Sequence, residues 1–245
     1  MKRVELLGMP VNIGLTGSDV VAALATGPLL IGYLNPFAWA VSGNQARFAS
    51  QLSALDVVTC DGVAIQRALR RLHGQQTPII SLDYSGIARE YLQFFRQNTL
   101  DVCLVGGQLE TVRTASRSLR EAFPGLEISG AFPGYGDGPE SATQYILANQ
   151  PAVVLAGMGM GLQEPFLLHL REKGWRGRGI CVGAFLDRLA DPGLDYPEWS
   201  KRLNVRFLGN LARRPGYYLK RYGLDYWPFY KQYVFHLLGR SDSSS

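Results

Sequence analysis

Asp61 sits in the run TCDGVAIQRALRR, where a short apolar stretch gives way to a helical pattern rich in Ala, Leu and Arg. A carboxylate at such a junction has two ordinary uses. It caps the helix by accepting N–H bonds from the first turn. At the carboxyl edge of a parallel sheet, where ligands bind, it can instead take a proton from a substrate hydroxyl. Two further junctions carry glycine. In LVGGQ an apolar run meets Gly106 and Gly107, and in LAGMGMGLQE another meets Gly157, Gly159 and Gly161, followed by Gln163 and Glu164. Glycine lets a backbone approach a phosphate closely, and a helix start supplies free N–H donors. Two such turns suit a diphosphate, although glycines also serve plain helix–sheet packing.

Other chemistries find less support. The G-x-G-x-G run lacks the spacing of a nicotinamide-dinucleotide fingerprint, because position 162 is Leu. The next apolar run, GICV, ends without the acid that would hold a ribose. A Gly-rich loop closed by Gly-Lys-Ser/Thr is absent, as is a G-x-S-x-G elbow. Cys60, Cys103 and Cys181 are dispersed in or beside apolar runs, and His73, His169 and His236 are equally scattered. Reduced core cysteines and no metal site are the expectation.

The elements that must position these residues follow from periodicity. Strand-like runs are expected at Val4 to Leu7, Leu29 to Leu34, Asp56 to Thr59, Val102 to Val105, Leu126 to Ser129, Val153 to Ala156 and Gly179 to Val182. Helical patterns fill the intervals, among them Gly17 to Ala25, Gly43 to Ser53, Asp61 to Leu72, Asp83 to Gln97, Leu109 to Phe123, Pro139 to Asn149 and Leu162 to Lys173. Strands alternating with helices of this length predict an α/β fold, a mostly parallel Rossmann-like sheet covered on both faces. After Gly183 the chain turns basic, aromatic and helical. This predicts a core over residues 1–195, a helical appendage over 196–240 and a disordered tail over 241–245.

The 245 residues are 47% apolar and 18% charged, which allows a sizeable core. From Lys201 to Arg240 nine Lys or Arg face one acid, Asp225, so the net charge of +5 originates in this segment. Such a patch suits phosphates, nucleic acid or an anionic membrane surface. No secretory signal pattern opens the chain. The run Val20 to Val41 has the length of a membrane span and no charge, but Gly27, Pro28, Gly32, Asn35 and Pro36 interrupt it. It reads as a helix end, a turn and a buried strand.

Taken in order, these stretches resemble the WecG/TagA/CpsF family of glycosyltransferases over most of the chain. YLNPF stands where the family has T-x-N, and CDGVAI matches its D-G turn. VCLVGGQLETVRTASRSLREAFPGLEISGAFPGYGD is similar to its Gly-Gly and Gly-Tyr stretch, which includes Tyr135. AGMGMGLQEPF resembles G-x-G-x-P-K-Q-E, VGAFLDRLAD resembles a G-x-F-D segment, and a basic tail follows. The departures are Tyr33 for the threonine, Gly161-Leu162 for Pro-Lys, Pro78 and Ser81 in the R-x-x-G-x-D segment that keeps Asp83, and Arg206 and Asn210 in the tail.

The resemblance implies inverting transfer from a UDP-sugar to a polyprenyl-diphosphate-linked saccharide in exopolysaccharide or cell-envelope synthesis, with no cofactor and no required metal. Asp61 becomes the base. Asn35, Gly106, Gly107, Tyr135, Gly157, Gly159, Gly161, Gln163 and Glu164 become donor-binding residues. Arg206, Arg213, Arg214 and Arg221 are expected to face phosphate or membrane, with the aromatic residues Tyr226, Trp227, Phe229, Tyr230, Tyr233 and Phe235 beside them. The protein is then expected in the cytoplasm, peripheral on the inner face of the cell membrane, without nucleic acid; oligomerisation stays open. The donor is expected to be a hexose of the glucose or N-acetylmannosamine type, the departures favouring plain glucose. The alternatives are a non-catalytic nucleotide or nucleic-acid binder and a nicotinamide-dependent oxidoreductase.

Overall fold

The computed structural model describes residues 1–41, 45–83, 86–191 and 215–241. Its centre is a six-stranded sheet in the order β4-β3-β8-β7-β5-β6, parallel at every pairing. The strands are β3 (Leu29–Leu34), β4 (Val57–Cys60), β5 (Val102–Gly106), β6 (Ile128–Phe132), β7 (Val153–Gly157) and β8 (Arg178–Cys181). VVTC, VCLVG and VVLAG are buried at every position. These are continuous apolar runs rather than alternating ones, because helices cover both faces.

The helices are α1 (Gly17–Ala25), α2 (Ala38–Val41), α3 (Gln45–Ser53), α4 (Val63–His73), α5 (Ala88–Gln97), α6 (Leu109–Ala122), α7 (Gly138–Asn149), α8 (Gln163–Glu172) and α9 (Phe185–Ala190). Thr16 and Asp19 form a reciprocal capping box at the start of α1. Gly74 closes α4 in the left-handed conformation. The uncharged run from Val20 to Val41 divides into the end of α1, a turn, β3 and α2. No described helix is long and apolar enough to cross a membrane. The three cysteines are free and buried, and burial pushes the thiols of Cys60 and Cys103 up to about 12.

Two expectations are corrected. The first strand is one arm of an antiparallel hairpin outside the main sheet, β1 (Arg3–Leu6) with β2 (Met9–Asn12). Its turn puts Leu7 at φ 49° and Gly8 at φ 82°, a two-residue connection that sequence does not advertise when Leu fills the first position. The hairpin serves the sheet: Asn12 Oδ1 accepts from Val58 N at 2.8 Å, and the Arg3 guanidinium donates to the carbonyls of Leu55 and Asp56. Both contacts fix the edge strand β4. The sixth strand begins at Ile128 rather than Leu126, because Leu126 N closes a turn onto Phe123 O.

Beyond 214 the chain forms α10 (Pro215–Lys220), a π-helical turn over Arg221–Asp225 and α11 (Trp227–Ser241). Phe229 is buried on Trp39 of α2 with ring centroids 4.9 Å apart, and Gln232 Nε2 donates to Gln45 Oε1 at 2.8 Å. The expected boundary at 195–196 falls outside the described residues. So do Arg206, Asn210, Arg213 and Arg214, and residues 242–245 of the tail.

Candidate functional site

Asp61 lies where β4 leaves the sheet. Its N–H donates to Leu34 O at 2.9 Å, and the chain then turns at Gly62, φ 94° and ψ 151°. Gly62 is the residue that precedes α4, and no side chain caps that helix. The carboxylate is therefore not engaged as a cap. Its Oδ2 accepts from Asn35 Nδ2 at 3.2 Å, and its Oδ1 accepts from Ser81 Oγ at 2.6 Å.

Both partners are themselves fixed. Asn35 follows β3, and its Oδ1 accepts from Phe37 N at 3.0 Å, which sets the amide's orientation. Ser81 follows Ile80, whose N–H donates to Cys60 O and lays this segment against β4. The Ser81 carbonyl accepts from the N–H groups of Asp83 and Ile87. Gly86 packs so closely on that carbonyl that a Cβ there would collide with it.

Burial pushes the Asp61 carboxyl above its ordinary range, and Asp83 adds to this, while the Ser81 and Asn35 hydrogen bonds and Arg188 oppose it. A carboxylate made more basic by burial, yet held in one orientation, is suited to removing a hydroxyl proton. Beneath it the Tyr33 hydroxyl donates to Tyr91 OH at 3.3 Å, and burial drives the pKa of both phenols up.

The glycine turns lie along the same carboxyl edge, beyond β8. Gly106 and Gly157 are opposite each other in register, and a Cβ on Gly106 would strike the Gly157 backbone. These two glycines thus serve close strand packing. Gly107, φ 62°, donates its N–H to Gly157 O at 3.3 Å. Gly159, φ 85°, has open space where a side chain would be.

Gly161 N donates to Glu164 Oε2 at 2.6 Å. Gln163 and Glu164 are buried: Gln163 Nε2 donates to Glu164 Oε1, and Gln163 Oε1 accepts from Gly183 N. Burial raises the Glu164 carboxyl pKa. The pair joins the start of α8 to the end of β8. Tyr135 is 46% exposed and donates its hydroxyl to Met158 O, bridging the β6 and β7 loops above the sheet.

The C-terminal helices reach the Asp61 side. The Arg221 guanidinium stands 5.0 Å above the Phe37 ring. Tyr226 is hydrogen-bonded to Arg221; burial raises its phenol, and the charge of Asp61 acts in the same direction. The aromatic run expected to face a membrane therefore divides. Tyr226 turns to the site and Phe229 to the core, while Trp227 and Phe235 are 62% and 79% exposed.

Sequence reading treated Ser81 only as a departure and overlooked Arg188 and Asp187. Asp187 Oδ1 stands near Gly107, and the charge of Arg188 acts on Asp61. Their adjacency in VGAFLDRLAD was the available signal. Among the described residues, no three His, Cys, Asp or Glu come together in a way that would hold a metal ion.

Comparison with known proteins bears on this arrangement. The model of the glycosyl transferase WecG/TagA/CpsF family matches residues 4–243. A UDP-Gal:alpha-D-GlcNAc-diphosphoundecaprenol beta-1,4-galactosyltransferase of Shigella boydii is 23% identical over 207 residues, covering 84% of this chain and 85% of the relative.

Proposed function

The chain belongs to the WecG/TagA/CpsF family of glycosyl transferases, and on that footing we propose that it moves a hexose from a UDP-sugar to a saccharide on a polyprenyl diphosphate, with inversion and with Asp61 as base. The observation that carries this reading is the Asp61 carboxylate. It is withdrawn from helix capping, held by Asn35 and Ser81, and raised in basicity by burial.

The acceptor hydroxyl oxygen attacks the anomeric carbon from the face opposite the nucleotide. Its proton passes to Asp61, the C–O bond to UDP breaks, and UDP leaves with the electron pair. Charge on the leaving diphosphate is met by backbone N–H groups around Gly159 and by arginines of the tail, Arg221 with Arg206, Arg213 and Arg214. No metal takes part in this scheme. The donor is a plain hexose: the Shigella relative uses UDP-Gal, which makes galactose the first candidate and glucose the second. The acceptor is GlcNAc on a diphosphate lipid, by the same likeness.

The protein works at the inner membrane face. Trp227, Val234 and Leu238 fall on one side of α11 together with Lys231, and all three apolar residues are exposed. A helix with aromatic and basic residues on an outer apolar face suits the lipid interface.

The test is transfer from UDP-galactose, UDP-glucose and UDP-N-acetylmannosamine to a GlcNAc-diphospho-lipid, with and without EDTA, and product configuration read by NMR. Transfer of a plain hexose with inversion, indifferent to EDTA, is expected. Retained configuration, or no transfer from any UDP-sugar, would refute the reading.

A further inference from the structure

The outward face of α4 carries a cleft that the mechanism above does not use. It has a volume of about 260 Å³ and is lined by Val63, Gln66, Arg67, Arg70 and Gln76. The four helical residues are spaced i, i+3, i+4 and i+7, so they form one stripe, opposite the face that buries Ile65, Ala68 and Leu69. Gln66 Nε2 donates to Thr77 O at 2.8 Å and ties the helix to the loop that supplies Gln76.

Arg67 and Arg70 lie three residues apart, where like charges repel. Among the described residues the ion pairs are Arg113–Glu110 and Arg171–Asp56, and neither involves these two arginines. No acid lies in the first turn of α4. A pair of guanidinium groups beside a small cleft, without a carboxylate, is chemistry for a compact dianion.

Its position relates it to Asp61. α4 starts directly after Asp61-Gly62, and Arg67 is about 6 Å along the axis from Val63 at 1.5 Å per residue. Tyr230 of α11 comes close enough to Arg67 to feel its charge, so the C-terminal helix that also reaches the Asp61 side approaches this stripe of α4. The glycine turns stand on the far side of Asp61, with β3 and β8 in between.

We infer that Arg67 and Arg70 bind the diphosphate of the lipid-linked acceptor, presenting its sugar hydroxyl to Asp61. The inference rests on the reading of the acceptor given above. The small volume argues for a single diphosphate rather than the track of a nucleic acid.

The test is binding of decyl diphosphate and of UDP to the full chain, measured by calorimetry for wild type and Arg67→Gln/Arg70→Gln. Both side chains are exposed, so the fold should survive. Arg96→Gln/Arg117→Gln, exposed residues of α5 and α6, controls for the loss of two charges. The double variant should weaken decyl diphosphate at least tenfold and leave UDP within twofold. In the transfer assay it should raise the acceptor KM at least tenfold with little change in kcat. Unchanged decyl diphosphate affinity, or equal weakening of UDP, would overturn the subsite. A wild type that binds decyl diphosphate through these arginines but transfers to no lipid-diphosphate acceptor would instead refute the acceptor reading.

Discussion

At the residue scale, Asp61 is set by opposing influences. Burial and Asp83 disfavour its charge, and Ser81, Asn35 and Arg188 favour it. Its place at a strand end was legible in TCDGVAI, but its partners were not. Ser81 and Asn35 lie 20 and 26 residues away in sequence; Asn35 reaches it by the β3–β4 pairing and Ser81 by the return of the chain after α4 onto β4. For the same reason the cap role of Asp61 was not separable from sequence, and the structure gives the cap position to Gly62.

Ser81 makes the balance testable. As the proposed base, Asp61 would act when ionised, so activity should fall as pH drops through its raised pKa. Ser81→Ala removes a hydrogen bond that favours the ionised form, so the acid limb of kcat/KM should move to higher pH. On the acid limb, below the wild-type midpoint, kcat/KM should fall by about tenfold, the equivalent of one charge-assisted bond of about 1.5 kcal/mol. A pH profile superimposable on wild type would show that Ser81 does not act on the base.

At the element scale, strands with unbroken apolar runs were readable almost to the residue, β3 from Leu29 to Leu34 among them. The second arm of the N-terminal hairpin was not, because Pro10 argues against a strand and Leu7-Gly8 is a poor turn signal. The glycines were visible, but not the division of labour among them. Gly106 packs against Gly157, while Gly159 stays open.

The docking of α11 was likewise beyond reach, since its aromatic residues look alike in sequence. One of them, Phe229, anchors the helix on Trp39. Phe229→Ala removes a fully buried ring, a change that typically costs about 3–5 kcal/mol. Because the anchor is local, α11 should become sensitive to limited proteolysis and transfer should fall. Proteolysis and transfer both at wild-type levels would contradict this anchoring role.

At the scale of the molecule, a parallel sheet collects its loops at one edge. Asp61, Asn35 and Ser81 stand to one side there, and the glycine turns with Tyr135 to the other. The C-terminal helices close over the Asp61 side and leave Trp227, Val234, Phe235 and Leu238 exposed. If that outer face meets lipid, Trp227→Glu/Phe235→Glu should abolish flotation with anionic vesicles and spare transfer to a short-chain soluble acceptor; undiminished flotation would remove the membrane role.

The most direct measurement concerns Asp61→Asn. Asparagine keeps the shape, and the Ser81 hydroxyl can turn to accept from the new amide. Because the folded pKa of Asp61 is raised, its contribution to stability is present below the unfolded pKa and is lost as pH rises through the folded value. Removing the charge should therefore leave Tm at neutral pH equal or higher. Transfer from the UDP-hexose to the lipid-diphosphate acceptor should fall by about 10²–10⁴-fold, the usual worth of a general base. A folded Asp61→Asn protein that transfers at the wild-type rate would contradict the account at its centre.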